Sequence, residues 1–236
     1  MEKEAGFAPV IPLLMAAPLF AGFSAGELAT LLPLLAPARR RYAKGEVVLM
    51  AGDTPTEMGL VLSGVAEAVK YTRAGAQFLV ARHGPGRVFG DVLAVGTAKS
   101  PVTVSAAADL EVLMIPGQRL YAPPGAQAEL FRRLLVNLAA VLSDKYFALD
   151  RRVDLLLMHG LRKRLAAFLL DAAEAAGAAE GAPFAIPYTR AQLAAYLGCE
   201  RSALSREISR MAQDGLLKTR RSVFTLPDEA RLRALF

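Results

Sequence analysis

Serine and arginine side chains line one side of a short amphipathic segment, LGCERSALSREISRMAQDGLL. Leu204, Ile208 and Met211 recur at helical spacing and share one face of a helix predicted over residues 201–213. At about 100° per residue, the opposite face carries Ser202, Arg206, Ser209 and Gln213. Arginine can bridge guanine O6 and N7, and serine pairs with several bases. This face therefore has the chemistry needed to read base edges in DNA.

The segment before this helix predicts a helix-turn-helix. In YTRAQLAAYLG, Thr189 and Gln192 have the spacing of a capping box that opens a helix. Gly198 ends that helix where a residue that tolerates positive φ is needed. Two short helices joined by a tight turn that contains glycine form the helix-turn-helix motif.

The segment after the helix predicts a wing. Gly215 stops the helix, and residues 216–219 and 223–226 are expected to form two strands around a basic turn of Arg220, Arg221 and Ser222. We therefore predict binding of double-stranded DNA. Base contacts are predicted for Arg201, Ser202, Ser205 and Arg206. Phosphate contacts, which position a protein without reading sequence, are predicted for Thr189, Arg190, Ser209, Lys218, Arg220 and Arg221.

Composition agrees with nucleic-acid binding. The 236 residues are 54% hydrophobic, enough for a sizeable core in two domains, and the formal net charge is +6. Residues 156–236 hold 12 basic and 8 acidic side chains, so the positive excess leans toward the predicted DNA-binding region. The single cysteine, Cys199, excludes an intrachain disulfide and a four-cysteine zinc or iron–sulfur site, and we expect it to be a packing residue.

Residues 5–26 are uncharged and mainly apolar, which is a feature of signal peptides and membrane anchors. Pro9, Pro12 and Pro18 interrupt this segment, whereas a spanning helix requires an unbroken apolar run of about 20 residues. We predict no membrane association and a cytoplasmic protein.

Residues 39–116 have the pattern of a compact antiparallel β-structure. Nine of the 19 glycines lie between Gly45 and Gly96, and short β-type runs such as EVVLM, GLVLSG and LEVLMIP alternate with them. Evenly spaced short strands with glycine turns are typical of a sandwich or roll.

A long helix is predicted over residues 126–157, followed by a break at residues 158–160 and a further helix. Apolar residues step along it by three or four, at Phe131, Leu135, Leu138, Leu142, Tyr146, Leu149, Val153 and Leu156. Thirty residues at about 1.5 Å each reach about 45 Å, the scale of a helix pairing seam. This stripe can pack on its own β-domain or on the same helix of a second subunit, and we expect both.

The order of β-roll, long helix, break and winged helix-turn-helix resembles the CRP/FNR family of bacterial transcription regulators over nearly the whole chain. The residues that carry the resemblance are PLFAGFSAGELATLL, YAKGEVVLMAGD, GLVLSGVAEA, GPGRVFGD and TRAQLAAYLGCERSALSREISRM. It implies an α+β fold with an N-terminal double-stranded β-helix, or jelly-roll-like β-roll, at residues 1–125. A dimerisation helix at 126–157 and a winged helix-turn-helix at 158–236 would follow.

The resemblance also implies a function. A homodimer would bind a palindromic promoter site and would contact RNA polymerase if it acts as an activator. An effector sensed in the β-roll would control DNA binding. The residues matching Arg201, Ser202, Ser205 and Arg206 would read bases, with Arg206 as the best match to a guanine reader. Ser202 stands where family members often have glutamate, and Glu200 replaces the usual short N-cap residue, which weakens that cap.

The effector pocket implied by the resemblance comprises Gly90, Asp91, Lys99, Ser100 and Pro101. Cyclic-nucleotide members carry a Gly-Glu pair for the ribose, matched here by Gly90 and Asp91, and an Arg-Ser pair for the phosphate. Ser100 and Pro101 align with that second pair, or Lys99 and Ser100 after a shift of one residue. A phosphate requires a cation or convergent N–H donors, and Pro101 has no N–H to donate. Cyclic nucleotide binding is therefore disfavoured, and another small ligand is expected.

Haem is an alternative cofactor that requires an axial ligand. His83 lies in a predicted turn, where we expect it to be exposed, and His159 lies in the break, where we expect a contact between helices.

Two other function classes are weighed. A cupin-like metalloenzyme requires clustered histidines and a carboxylate, but the roll contains only His83, so we predict no metal site and no enzyme activity. A module that docks on protein or membrane through its basic helix is disfavoured, because that face is too short and too rich in serine.

Overall fold

The computed structural model describes residues 6–71, 77–94, 96, 98–121 and 125–236. The chain divides into two compact units, Met1–Tyr146 and Phe147–Phe236. Among the described residues, no helix combines the length and the apolar character needed to cross a membrane.

The first unit combines strands with helices at its beginning and end. Its strands are β1 (Ala38–Tyr42), β2 (Val47–Leu49), β3 (Glu57–Ser63), β4 (Ala66–Tyr71), β5 (Gln77–His83), β6 (Val88–Phe89), β7 (Thr103–Ala106) and β8 (Leu110–Pro116). Its helices are α1 (Ile11–Ala16), α2 (Ala25–Leu35), α3 (Asp91–Ala94), α4 (Gln118–Tyr121) and the first part of α5 (Ala128–Leu157). Single 3₁₀ turns span Ala8–Val10, Pro18–Phe20 and Gly125–Gln127.

The strands form two four-stranded antiparallel sheets, with orders β1-β8-β3-β6 and β2-β7-β4-β5. Successive strands alternate between the two sheets, except that β4 and β5 are neighbours in the second sheet, and this arrangement is that of a jelly roll. In β7, partly buried and buried residues alternate, because one face of the sheet points into the core. The predicted β-roll is confirmed.

The apolar segment near the N-terminus lies in the core of this unit. Leu14, Leu19 and Phe20 are buried there, in a cluster that includes residues from the beginning of α5. Asn137 of α5 donates hydrogen bonds from Nδ2 to the carbonyls of Leu19 at 3.1 Å and Ala21 at 2.9 Å. The residues described in this segment therefore pack as part of the fold.

The second unit contains the predicted winged helix-turn-helix. Its elements after the end of α5 are α6 (Leu161–Ala175), β9 (Pro183–Ala185), α7 (Arg190–Tyr196), α8 (Arg201–Gln213), β10 (Lys218–Arg220), β11 (Val223–Thr225) and α9 (Glu229–Arg233). Helix α8 has the predicted bounds. The wing strands are shorter than expected, and β10 also begins and ends later than predicted, so Arg220 belongs to β10 and not to the turn. Strand β9, which pairs with β11, was not predicted.

The apolar stripe of α5 divides between two environments. Phe131 and Leu138 are buried in the core of the first unit, where they pack on their own domain. By contrast, Tyr146, Leu149 and Val153 are 62%, 56% and 46% exposed. The stripe is therefore not one continuous exposed seam, because Phe131 and Leu138 in its first half are buried within the β-roll unit.

Candidate nucleic-acid interface

A capping box fixes the start of α7, and one glycine fixes the turn from α7 to α8. Thr189 Oγ1 accepts from the N–H of Gln192 at 3.3 Å, and Gln192 Oε1 accepts from the N–H of Thr189 at 2.9 Å, which confirms the capping box. Gly198 has a φ of +64°, and a Cβ there would lie 3.1 Å from Leu156 Cδ2. Both the backbone conformation and the limited space therefore favour glycine.

Helix α8 presents its polar face to solvent. Leu204, Ile208 and Met211 are buried and fix the helix on the core of the unit. The four residues predicted to read bases are all exposed: Arg201, Ser202, Ser205 and Arg206. In the described part of the chain, no hydrogen bond or ion pair engages the side chains of these residues, so their donors are available to an external partner. Glu200 makes no side-chain capping bond, in agreement with the predicted weak cap.

The residues predicted to contact phosphates differ in their availability. Thr189 is exposed, and its Oγ1 accepts within the capping box, so its hydroxyl hydrogen is free to donate. Ser209 Oγ already donates to the carbonyl of Ser205 at 3.1 Å and must rotate to donate elsewhere. Arg190 is partly buried, lies 4.9 Å from the ring centroid of Phe224, and donates to Thr219 Oγ1 at 3.0 Å. These contacts favour a role for Arg190 in joining α7 to the wing.

The wing carries three exposed cations, Lys218, Arg220 and Arg221. Strands β10 and β11 pair with Lys218 opposite Thr225 and Arg220 opposite Val223. Arg221 occupies the turn with a φ of +57°, a left-handed conformation that glycine or asparagine adopts at lower cost. Because arginine adopts this conformation at a cost, its presence at the turn is consistent with a functional role for its side chain.

A buried arginine on α5 was missed by the sequence reasoning. Arg152 is 3% exposed, its guanidinium lies 4.3 Å from the ring centroid of Tyr196, and Nη2 donates to the Tyr196 carbonyl at 3.2 Å. Burial lowers the pKa of Arg152, while the nearby Tyr196 opposes that shift. Arg152 therefore joins the end of α5 to α7. Arg152 lies seven residues after Lys145 and fourteen residues after Leu138, so the three share one side of α5. This spacing was the signal in the sequence that Arg152 faces inward.

In the predicted effector pocket, Asp91 has a partner inside the protein. Asp91 is 4% exposed, and both of its carboxylate oxygens accept from Lys145 Nζ, at 2.8 and 2.7 Å. Lys145 also donates to the Val88 carbonyl at 2.7 Å. Burial lowers the pKa of Lys145, and Asp91 counteracts this. The carboxylate expected to meet a ligand is therefore held by a lysine of α5.

The other predicted pocket residues differ in their exposure. Lys99 and Pro101 are exposed, whereas Ser100 is 3% exposed. Ser100 Oγ donates to the carbonyl of Val102 at 2.7 Å, so it serves the local turn. Gly90 alone of the five residues lines a cavity of about 420 Å³ in the β-roll unit. The cavity is lined by Arg40, Val48, Leu49, Asp53, Thr54, Pro55, Thr56, Glu57, Phe89, Gly90 and Met114.

Both histidines lie in environments that differ from those expected. His83 ends β5, opposite Ala66, and is partly buried beside Phe89, so the predicted exposed turn is wrong. Burial, together with the charge of Lys145, lowers the pKa of His83 to about 4. His159 lies between α5 and α6 and is exposed, and the expected contact between helices is not seen among the described residues. Those residues contain no group of three or more histidine, cysteine, aspartate or glutamate side chains able to hold a metal ion.

Two protein families match the chain, one in each half. Residues 39–122 match the family described as cyclic nucleotide-binding domain, and residues 163–235 match the Crp-like helix-turn-helix domain. The Cyclic AMP receptor protein of Thermus thermophilus is 28% identical over 204 residues, which cover 85% of this chain and 88% of that protein. The Transcriptional activator protein FnrA of Stutzerimonas stutzeri is 29% identical over 199 residues, which cover 83% of this chain and 79% of that protein. The chain belongs to the CRP/FNR family.

Solved structures of CRP/FNR proteins share the fold. A CooA mutant from Carboxydothermus hydrogenoformans gives a TM-score of 0.71 at 20% identity, covering 86% of this chain and 89% of that chain. The Thermus thermophilus Catabolite Activator Protein gives a TM-score of 0.52 at 25% identity, covering 93% of this chain and 98% of that chain. The two family matches and the two curated relatives show that this CRP/FNR protein is a transcription regulator with a cyclic nucleotide-binding-type domain and a DNA-binding helix-turn-helix. These relatives are transcription regulators and not enzymes.

Proposed function

We propose that this regulator binds a palindromic promoter site as a homodimer, under the control of a small ligand sensed in the β-roll. The observation that carries the proposal is the unoccupied serine and arginine face of α8 beside a basic wing. Arg201, Ser202, Ser205 and Arg206 are proposed to read bases. Thr189, Ser209, Lys218, Arg220 and Arg221 are proposed to contact phosphates, with Arg190 supporting the wing.

The exposed apolar residues of α5 support a dimer. Tyr146, Leu149 and Val153 follow one another at spacings of three and four residues, and Leu135 lies eleven residues before Tyr146, so all four lie on one side of the helix. Large apolar side chains exposed along such a face are typical of a protein interface. Two recognition helices related by a twofold axis match two half-sites about one DNA turn apart. We propose that the β-roll domain ends near residue 125 and that α5 pairs with the same helix of a second protomer. Residues 158–236 are proposed to bind DNA.

The proposed effector is a small molecule other than a cyclic nucleotide. The Asp91 carboxylate is paired with Lys145, and the Ser100 hydroxyl donates within its own turn. Neither Asp91 nor Ser100 is therefore ready to bind a ribose or a phosphate. Haem is an alternative effector, for which His83 is the partly buried histidine of the roll. Calorimetric titration with cyclic AMP, cyclic GMP and haem distinguishes these ligands. Saturable stoichiometric binding of a cyclic nucleotide would overturn our preference.

The experiment that tests the proposed function is selection of duplexes from a random DNA library by purified protein at fixed salt. We expect enrichment of an inverted repeat whose half-sites are about one helical turn, or 10 base pairs, apart. If the protein requires its effector, enrichment appears only after cell extract metabolites are added. Binding without any sequence preference under both conditions contradicts the proposal.

Arg206→Ala tests base reading at one position. Loss of a bidentate contact to guanine costs about 1–3 kcal/mol and relaxes specificity at that base pair. Repeating the selection with this variant measures the change. Arg220→Ala is the matched control, because loss of a phosphate contact weakens binding to all sequences alike. Equal weakening by Arg206→Ala on every sequence would remove Arg206 from base reading.

We further propose that the protein acts without catalysis, in the cytoplasm, and that an activating form would contact RNA polymerase. Metal analysis that finds stoichiometric iron would revive the cupin-like alternative. Target binding that is insensitive to salt would instead favour docking on another protein, because phosphate contacts make DNA binding steeply salt-dependent.

A further inference from the structure

One arginine links two carboxylates along a flank of the recognition helix. Arg162, in the first turn of α6, donates from Nε to Glu207 Oε1 at 2.6 Å and from Nη1 to Asp214 Oδ2 at 2.7 Å. Glu207 lies within α8, and Asp214 caps its C-terminal end. Positions seven apart share one side of a helix, so a single guanidinium holds both acids on the same flank.

Glu207 requires a partner because of where it lies. It directly follows Arg206, and its side chain is only 13% exposed. A carboxylate removed from water without a counter-ion is costly, and an unpaired negative charge on a DNA-binding helix repels phosphates. Hydrogen bonding to Glu207 raises the pKa of Arg162, as expected for a stable ion pair.

Arg210 is a second cation near Glu207 among the residues that the structure describes. Its Nη1 lies 3.8 Å from Glu207 Oε2, more than 1 Å farther than the contact made by Arg162, and its side chain is 67% exposed. Without Arg162, Glu207 would be free to pair closely with Arg210. Such a pair would draw an exposed cation of α8 toward the protein and away from DNA.

We propose that Arg162 is a positioning residue for DNA recognition, which holds Glu207 and Asp214 on the flank of α8 and leaves Arg206 and Arg210 available to DNA. The proposal rests on the proposed function. Arg162 touches no base in this scheme and acts only through the carboxylates that it retains. Arginine suits this task better than lysine, because its planar fork can donate to two acceptors in fixed directions.

The test measures binding of full-length protein to its selected duplex by fluorescence anisotropy at several salt concentrations. We expect Arg162→Ala to weaken binding about tenfold at low salt, with a smaller loss at high salt as the freed charge is screened. Glu207→Gln alone should leave affinity within about twofold of the wild type. The double variant should recover most of the affinity, because the repelling carboxylate is gone.

Arg233→Ala is the matched control, since it breaks an exposed ion pair with Glu229 in the same unit and should leave DNA affinity unchanged. Wild-type affinity in Arg162→Ala overturns the proposal. A loss that Glu207→Gln does not recover also overturns it, because Arg162 would then act only in folding. If Arg162→Ala does not fold, Arg162→Gln with and without Glu207→Gln gives the same comparison. Failure of the proposed function is distinct, because the wild type would then select no duplex.

Discussion

At the scale of single residues, the main feature is an ion pair that no local sequence pattern predicts. Asp91 and Lys145 lie 54 positions apart in sequence. Their types were visible, and Asp91 was predicted to line an effector pocket, but their pairing depends on how α5 packs on the roll. His83 was misjudged for the same reason, because glycines after it suggest a turn while the surrounding sheet buries it. Thr189, Gln192 and Gly198 were predicted correctly, since capping and positive φ are decided by near neighbours.

Lys145→Met leaves the Asp91 carboxylate buried without its cation. We expect the free energy of unfolding to fall by about 3 kcal/mol, as for other ion pairs broken on one side. Urea denaturation measures this loss. Adding Asp91→Asn should recover part of it, because the unpaired charge is removed. Arg132→Met is the control, since that side chain is 67% exposed and its pair with Glu129 is screened by water, so stability should stay close to that of the wild type.

His83 predicts a pH dependence of stability. Its pKa is about 4 in the folded protein against an ordinary value of 6.5, so the unfolded chain holds more protons between these values. The contribution of neutral His83 to the free energy of unfolding is complete above about pH 6.5. It is lost as the pH falls toward 4, by roughly 3 kcal/mol in total. Denaturation from pH 7 to 4 should therefore show a flatter profile for His83→Gln. His159→Gln, at an exposed histidine, should retain the wild-type profile.

At the scale of elements, periodicity predicted the long segments and failed on the shortest. Helix α8 has the predicted bounds because three buried residues at helical spacing leave little ambiguity. Strand β9 has three residues in an alanine- and glycine-rich region, and only its pairing with β11 makes it a strand. The stripe of α5 was predicted correctly as apolar, but sequence alone does not separate residues that face the roll from those that face solvent.

The exposed face of α5 predicts the effect of a charge on assembly. Leu149→Lys places a cation in the centre of the proposed helix pair, where burial without a partner is costly. We expect the variant to sediment as a monomer and to lose affinity for the palindrome. Asp144→Lys introduces the same side chain on the opposite side of α5 and should remain a dimer. A dimeric Leu149→Lys would require another interface.

At the scale of the whole molecule, the charges predict how DNA binding responds to salt. Lys218, Arg220 and Arg221 give three wing cations in each protomer, and therefore six in the proposed dimer. If each neutralises one phosphate, log K falls against log salt with a slope of about −5. This prediction required only the sequence and the assumption of symmetry, whereas the effector requires pocket geometry that composition does not contain.

Arg221→Gly isolates the charge at the tip of the wing. Glycine accepts a φ of +57° more readily than arginine does, so the turn should be retained or slightly stabilised. Removing one phosphate contact from each protomer should make the salt slope shallower by about two units. Anisotropy titrations from low to high salt measure the slope. Arg41→Ala, an exposed cation of the β-roll unit, should leave it unchanged.

Helix α5 carries Lys145 and Arg152 two turns apart, each committed to polar partners, the first in the β-roll unit and the second in the DNA-binding unit. One residue inserted between them would rotate Arg152 by about 100° relative to Lys145. A seven-residue insertion would nearly restore the rotation. During divergence, length changes should therefore accumulate in the loops of the roll and be rejected between these two side chains, so α5 is expected to align without gaps when more distant sequences are compared.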